Sequence, residues 1–135
     1  MSIFERVIPV LVYSDIPAAH DFLVKAFGFT AGQVERDTNG VPVHGEVRLG
    51  ETTIWLHRFT AEHQLGSPES VNMSGNGIVV FVSDVDAHCI QAQAAGALIQ
   101  SEPTDQGYGQ REYEARDLEG HRWWFATPTQ VPTPS

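Results

Sequence analysis

The 135-residue sequence has a single cysteine, Cys89, and only eight basic residues. One thiol excludes an internal disulfide, so stability has to come from a packed core and not from covalent staples. Eight Lys and Arg against seventeen Asp and Glu leave a formal net charge of -9. A field of that sign repels nucleic acid and anionic lipid, and it draws in cationic solutes. No apolar run approaches the roughly 20 residues that a membrane-spanning helix takes, so no membrane partner is expected. The opening stretch MSIFERVIPVLVYSD has neither a basic leader nor a small-residue cleavage site. It reads as a strand, and a cytoplasmic location is expected. A Gly-rich phosphate loop, a zinc-ribbon spacing, a serine-nucleophile elbow and any His-x-x-x-His or Glu-x-x-His pair are also missing.

What is present is 41% hydrophobic and 19% charged, the proportions of a folded soluble domain. Phe4 to Tyr13 is apolar and β-branched, the pattern of a strand, with Pro9 at an edge or entry. Ser14 and Asp15 offer N-cap oxygens and Pro17 suits a first helical turn. Ala19, Phe22, Leu23 and Ala26 then fall on one helix face, and Gly28 ends the helix. Strands are expected near 30–37, 42–49 and 52–58, joined by tight turns at Asn39-Gly40 and Gly50-Glu51. Residues 59–76 are polar and rich in Gly, Ser and Pro, which predicts a linker.

After the linker the pattern restarts. GIVVFV (77–82) is a strand, Ser83-Asp84 a cap, and Val85 to Ala95 a helix closed by Gly96. Strands near 97–102, 110–116 and 121–127 follow, the last two joined by a turn at Asp117-Leu118-Glu119-Gly120. Asp15 and Asp84 stand 69 apart, as do Val10 and Val79, Ile54 and Trp123, Trp55 and Trp124, and Leu56 and Phe125; Gly28 and Gly96 stand 68 apart. Two βαβββ copies, about 3–58 and 76–127, therefore tile one domain over residues 1–128, with a flexible Pro/Thr-rich tail at 129–135. The expected class is α+β: two tandem modules forming a curved eight-stranded sheet, helices on its convex face and a cleft on its concave one. Aligning His44 with Tyr113 across the repeat puts Glu112, Glu114 and Arg116 opposite Val43, Gly45 and Val47. That leaves the facing of strand 110–116 open between Glu112/Glu114 and Arg111/Tyr113. Gly45 is a candidate bulge or close-approach point.

VLVYSDIPAAHDFLVKAFGF, FVSDVDAHCIQAQAAGA and YGQREYEARDLEGHRWWFATP resemble the glyoxalase/bleomycin-resistance/dioxygenase (vicinal oxygen chelate) superfamily, most nearly its bleomycin-resistance branch. The resemblance covers residues 3–128. It implies paired βαβββ modules, homodimers and a ligand in the concave cleft. It also implies that enzymes of the family hold a metal on first- and last-strand positions. Counted from the capping aspartates, those positions are Ile8 (or Pro9), Gly77, Trp55 and Trp124. None of the four carries a metal donor, and a slip of one residue brings in no donor set either. No metal and no cofactor are expected. His20 and His88 read as helix residues on solvent faces, His57 and His63 flank the linker, and His121 opens the last strand. His44 and Glu46 alternate onto one strand face and, with His57, make the only alternative ligand set.

By the same resemblance Trp55 and Trp124 point into the cleft, where two indoles can stack on a planar ligand or grip a cation. Tyr108 and Tyr113 are candidate polar contacts, and Arg111 occupies the family's Gly-x-Arg position, as a contact to ligand or as a structural ion pair. Cys89 reads as an inert packed thiol. The expectation is a metal-free small-molecule-binding protein for a planar or cationic antibiotic-like compound, with Trp55, Trp124, His44, Glu46, Tyr108, Arg111 and Tyr113 as ligand contacts and no assigned catalytic residue. The competing readings are a divergent metal-dependent lyase or dioxygenase, and a structural or regulatory domain whose indoles are core.

Overall fold

The computed structural model describes residues 3, 5–60, 68 and 76–129. Most of the expected linker, with His63, and residues 130–135 of the tail lie outside the described residues. The element order is β1 (Val10–Tyr13), α1 (Ile16–Phe27), β2 (Thr30–Arg36), β3 (Pro42–Leu49), β4 (Thr52–Arg58), β5 (Gly77–Phe81), α2 (Val85–Ala94), β6 (Leu98–Gln106), β7 (Gln110–Arg116) and β8 (Arg122–Pro128). This is α+β with two tandem βαβββ modules. The eight strands hydrogen-bond as two four-stranded sheets, β1-β4-β3-β2 and β5-β8-β7-β6. In each, the outer pair (β1 with β4, β5 with β8) is parallel and the rest antiparallel. Among the described residues no helix is long and apolar enough to cross a membrane.

Local chemistry sets the helices where the sequence places them. Asp15 caps α1 by accepting from the Ala18 amide at 3.0 Å, and Asp84 caps α2 from Ala87 at 3.1 Å. Val85, Cys89 and Ala92 are the buried stripe of α2, and burial pushes the Cys89 thiol upward, which keeps it protonated and inert. β1 is shorter than its apolar stretch: residues 5–9 are not strand, and pairing starts at Val10. Pro9 has no N–H to give, although its carbonyl accepts the Trp55 amide at 3.0 Å.

The register settles the facing of β7. Glu46 pairs with Trp55, and Glu114 pairs with Trp124. The third strands are therefore related by 68 residues and the fourth strands by 69. Tyr113 corresponds to Gly45, not to His44. The residue lost before Gly96 is regained in the β7–β8 turn, where five residues separate the paired Arg116 and Arg122 against four between Arg48 and Thr53. Glu112, Glu114 and Arg116 thus lie on the sheet face away from the helices, and Arg111, Tyr113 and Ala115 lie on the helix side. At Gly45 a side chain would meet Ile16 at 2.9 Å, so the glycine is a close-approach point for α1.

The helix-facing sides of both sheets share one core. Phe27, at the end of α1, packs on Trp123 and Phe125 of β8 with ring centroids 5.4 and 4.8 Å away. Ile54, Leu56, Trp123 and Phe125 are each at most 1% exposed and belong to this core. A second junction is polar. The Asp117 Oδ2 atom accepts from Tyr13 Oη at 2.5 Å and from Trp123 Nε1 at 3.0 Å. Its Oδ1 accepts the Glu119 and His121 amides, both at 3.1 Å. Glu119 reaches back across the modules to the Ser14 amide (2.7 Å), the Ser14 hydroxyl (2.8 Å) and the Asp15 amide (2.9 Å). His121 Nε2 donates to the Val12 carbonyl at 2.7 Å.

Removing a carboxylate from such a buried network leaves its donors unpaired. Asp117→Ala is expected to lower stability by about 3–5 kcal/mol, and Tyr13→Phe by about 1–2 kcal/mol. Urea denaturation checks both; equal losses in the two variants would show that Asp117 does not organise the junction.

Candidate functional site

The sheet faces turned away from the helices carry Trp55, His44 and Glu46 on the first sheet and Trp124 on the second. On the first sheet, Trp55 sits mid-strand between Val10 and Glu46. Its side chain is 38% exposed, unusual for an indole in a central strand. The His44 ring stands edge-on to it with centroids 5.3 Å apart. Glu46 lies across Gly32, where any added side chain would collide with it at 2.5 Å. Trp55, His44 and Glu46 are therefore neighbours on one sheet face.

Trp124 holds the repeat-related place on the second sheet, in a different setting. Its ring lies over Gly77, where a side chain would meet the indole at 2.3 Å. The Arg122 guanidinium sits 4.8 Å from the ring centroid. Glu114 fixes that guanidinium through Nε at 2.8 Å and Nη2 at 3.0 Å, which raises the Arg122 pKa further. One face of this indole therefore already holds a cation from its own chain.

The other expected contacts lie elsewhere. Tyr113 is fully buried on the helix side, stacked 5.4 Å from Phe125. Its hydroxyl donates to His88 Nδ1 at 2.6 Å, and His88 Nε2 donates to the Phe27 carbonyl at 2.8 Å. Arg111 also faces the helices and grips Asp86 of α2 through Nε (2.9 Å) and Nη2 (3.0 Å), with Asp105 at 3.2 Å. That pairing holds the Asp86 carboxyl below its ordinary range and raises Arg111. Of the alternatives left open for Arg111, the structure shows the ion pair. Tyr108 is 69% exposed at the tip of the β6–β7 turn.

Neither His20 nor His88 is on a solvent face. His20 is buried, accepting the Gly32 amide at its Nε2 (3.2 Å). Apolar spacing cannot mark such histidines, because each is held by a hydrogen-bond partner on another element.

A metal does not fit the four family positions. Gly77 and Trp124 fill one place between them with a ring and no donor, and Trp55 and Ile8 offer none. His44 and His57 are paired across β3 and β4, but among the described residues no three His, Cys, Asp or Glu side chains are placed to hold a metal ion.

The profile of the Glyoxalase/Bleomycin resistance protein/Dioxygenase superfamily matches residues 6–125. The chain belongs to that superfamily. An uncharacterized protein of Mycobacterium tuberculosis, Rv0887c, is 32% identical over 126 residues, spanning 90% of this chain and 74% of its own. Among solved structures, TioX from Micromonospora sp. ML1 is similar at 31% identity and a TM-score of 0.72, covering 93% of this chain and 99% of its own. TnmS3, an antibiotic binding protein from Streptomyces sp. CB03234, shares the fold at 23% identity and a TM-score of 0.73, covering 96% and 99%.

The His88 contacts generate a pH prediction. Burial lowers the His88 pKa, so between the folded and unfolded values the unfolded chain binds more protons. Stability is then complete above about 6.5 and is lost as pH falls below it. The thermal midpoint is expected to drop from pH 7 to pH 5, and the drop to shrink in His88→Gln; identical slopes in both proteins would contradict it.

Proposed function

We propose that this superfamily member is a metal-free small-molecule-binding protein whose ligand, planar and cationic, lies on the Trp55 face of the first sheet. The observation that carries the reading is an exposed indole at a family metal position, flanked by a carboxylate and an imidazole. An exposed aromatic face gives a planar ligand stacking area and a cation π-attraction, about 0.5–2 kcal/mol for the latter. Glu46 adds a counter-charge, and the net charge of -9 favours encounter with cations. The shared fold serves antibiotic binding in TnmS3, which supports an antibiotic-like ligand here.

Trp124 takes a lesser part in this reading, because Arg122 must leave its ring before a cationic ligand can stack there. Its seat over Gly77 favours a structural role for that indole. A homodimer remains part of the proposal. Edge strands of the two four-stranded sheets suit pairing with a second copy.

Intrinsic tryptophan fluorescence tests this with ethidium and bleomycin as probes. Ethidium is expected to quench at micromolar concentration. Trp55→Ala should weaken it about tenfold or more, ~1.4 kcal/mol, while Trp124→Ala weakens it less. Glu46→Gln should weaken it about threefold and flatten the salt dependence. Equal quenching of wild type and Trp55→Ala by both probes would overturn the proposal.

A further inference from the structure

The internal repeat exposes a difference between the two ends of the molecule. At the start of α1, the Ser14 amide, Ser14 hydroxyl and Asp15 amide hold the carboxylate of Glu119 at 2.7–2.9 Å. The same dipeptide recurs at the start of α2 as Ser83-Asp84, and Asp84 caps its helix as Asp15 does. The hairpin facing it is β3–β4, whose turn is one residue shorter than β7–β8. No carboxylate reaches across. Among the described residues, no hydrogen bond ends on the Ser83 amide, the Ser83 hydroxyl or the Asp84 amide.

In place of the lock there is a cavity of about 570 Å³ between the modules, lined by Ser83 and by Phe27, Phe29, Phe81, Arg48 and His88 among others. That volume lies within the range of roughly 300–1,000 Å³ for small-molecule sites. Arg48, on the hairpin side, takes part in none of the ion pairs of the described residues.

We propose that this cavity is a second binding site, for an organic carboxylate with an apolar body. The carboxylate takes the place on Ser83 and Asp84 that Glu119 takes on Ser14 and Asp15. Two amides and a hydroxyl at a helix start favour an anion by direct donation and by the helix dipole. Asp84 is no obstacle, because Asp15 caps α1 beside the bound Glu119 in the same way. The Arg48 guanidinium supplies the opposite charge, and the exposed ring of Phe81, with Leu49 and Val80 beside it, takes the apolar body. The acidic surface does not favour anions, so affinity rests on these short-range contacts. The site is separate from the Trp55 face and does not depend on the function proposed for it.

The test is a ¹⁵N–¹H titration of the full-length protein with 4-phenylbutyrate, with the neutral 4-phenylbutyramide as control. The acid is expected to shift the Ser83 and Asp84 amide resonances saturably, and the amide to leave them nearly unmoved. Arg48→Gln, at an exposed position, should fold normally and weaken the acid's apparent Kd up to about fivefold. Ser83→Ala should weaken it by a similar factor. Three results would overturn the proposal: equal shifts from acid and amide, shifts confined to the Trp55 and Trp124 indoles, or no shift at millimolar acid.

Discussion

Two buried carboxylates hold the halves of this molecule in place. Asp117 accepts four hydrogen bonds and Glu119 three, and three of the seven come from Ser14 and Asp15, where β1 turns into α1. Taking a carboxylate out of water costs several kcal/mol, and the cost is offset only when its lone pairs are met by well-placed donors. Here they are met by backbone amides at a helix start, by a tyrosine hydroxyl and by an indole N–H. Because those donors belong to both modules, the polar junction works only in one relative placement of the sheets. That placement also puts Phe27 against Trp123 and Phe125, so the apolar core and the polar junction specify the same arrangement.

The repeat makes the two sheets comparable position by position, and the comparison is most informative where the copies diverge. Trp55 and Trp124 occupy equivalent places, yet one indole is open beside Glu46 and the other lies over Gly77 beneath Arg122. The cause is local. Arg122 is two residues from Trp124 on the same strand face and is held by Glu114, whereas the equivalent Thr53 has no charge to bring to Trp55. A similar divergence separates the two module junctions. One is closed by the acidic five-residue turn of β7–β8, and the other, with a shorter turn, stays open.

How much could be read from the residues depended on whether a signal was local. Helix starts at Asp15 and Asp84, helix stops at the following glycines and most strand limits were legible, because caps, turns and apolar spacing act within a few residues. The shared face of His44 and Glu46 was legible too, through alternation along one strand, whereas the Trp55 neighbour came only with the strand register. The facing of β7 was not legible. A one-residue change in the repeat, hidden between a helix and a turn, reverses every side chain of a strand, and the strand's own charges did not reveal the slip. The settings of His20 and His88 were not legible because their partners, Gly32 for His20 and Phe27 with Tyr113 for His88, lie on other elements.

The sequence by itself thus determined the duplicated α+β architecture through residue identity and spacing, and its resemblance to known sequences carried the superfamily. Tertiary structure decided which face of β7 carries Arg111 and Tyr113, which indole is open, and where a carboxylate is already bound. Each of those depends on which side chains of the second module reach the first, and contacts across 60 to 110 residues leave no periodic trace in the chain.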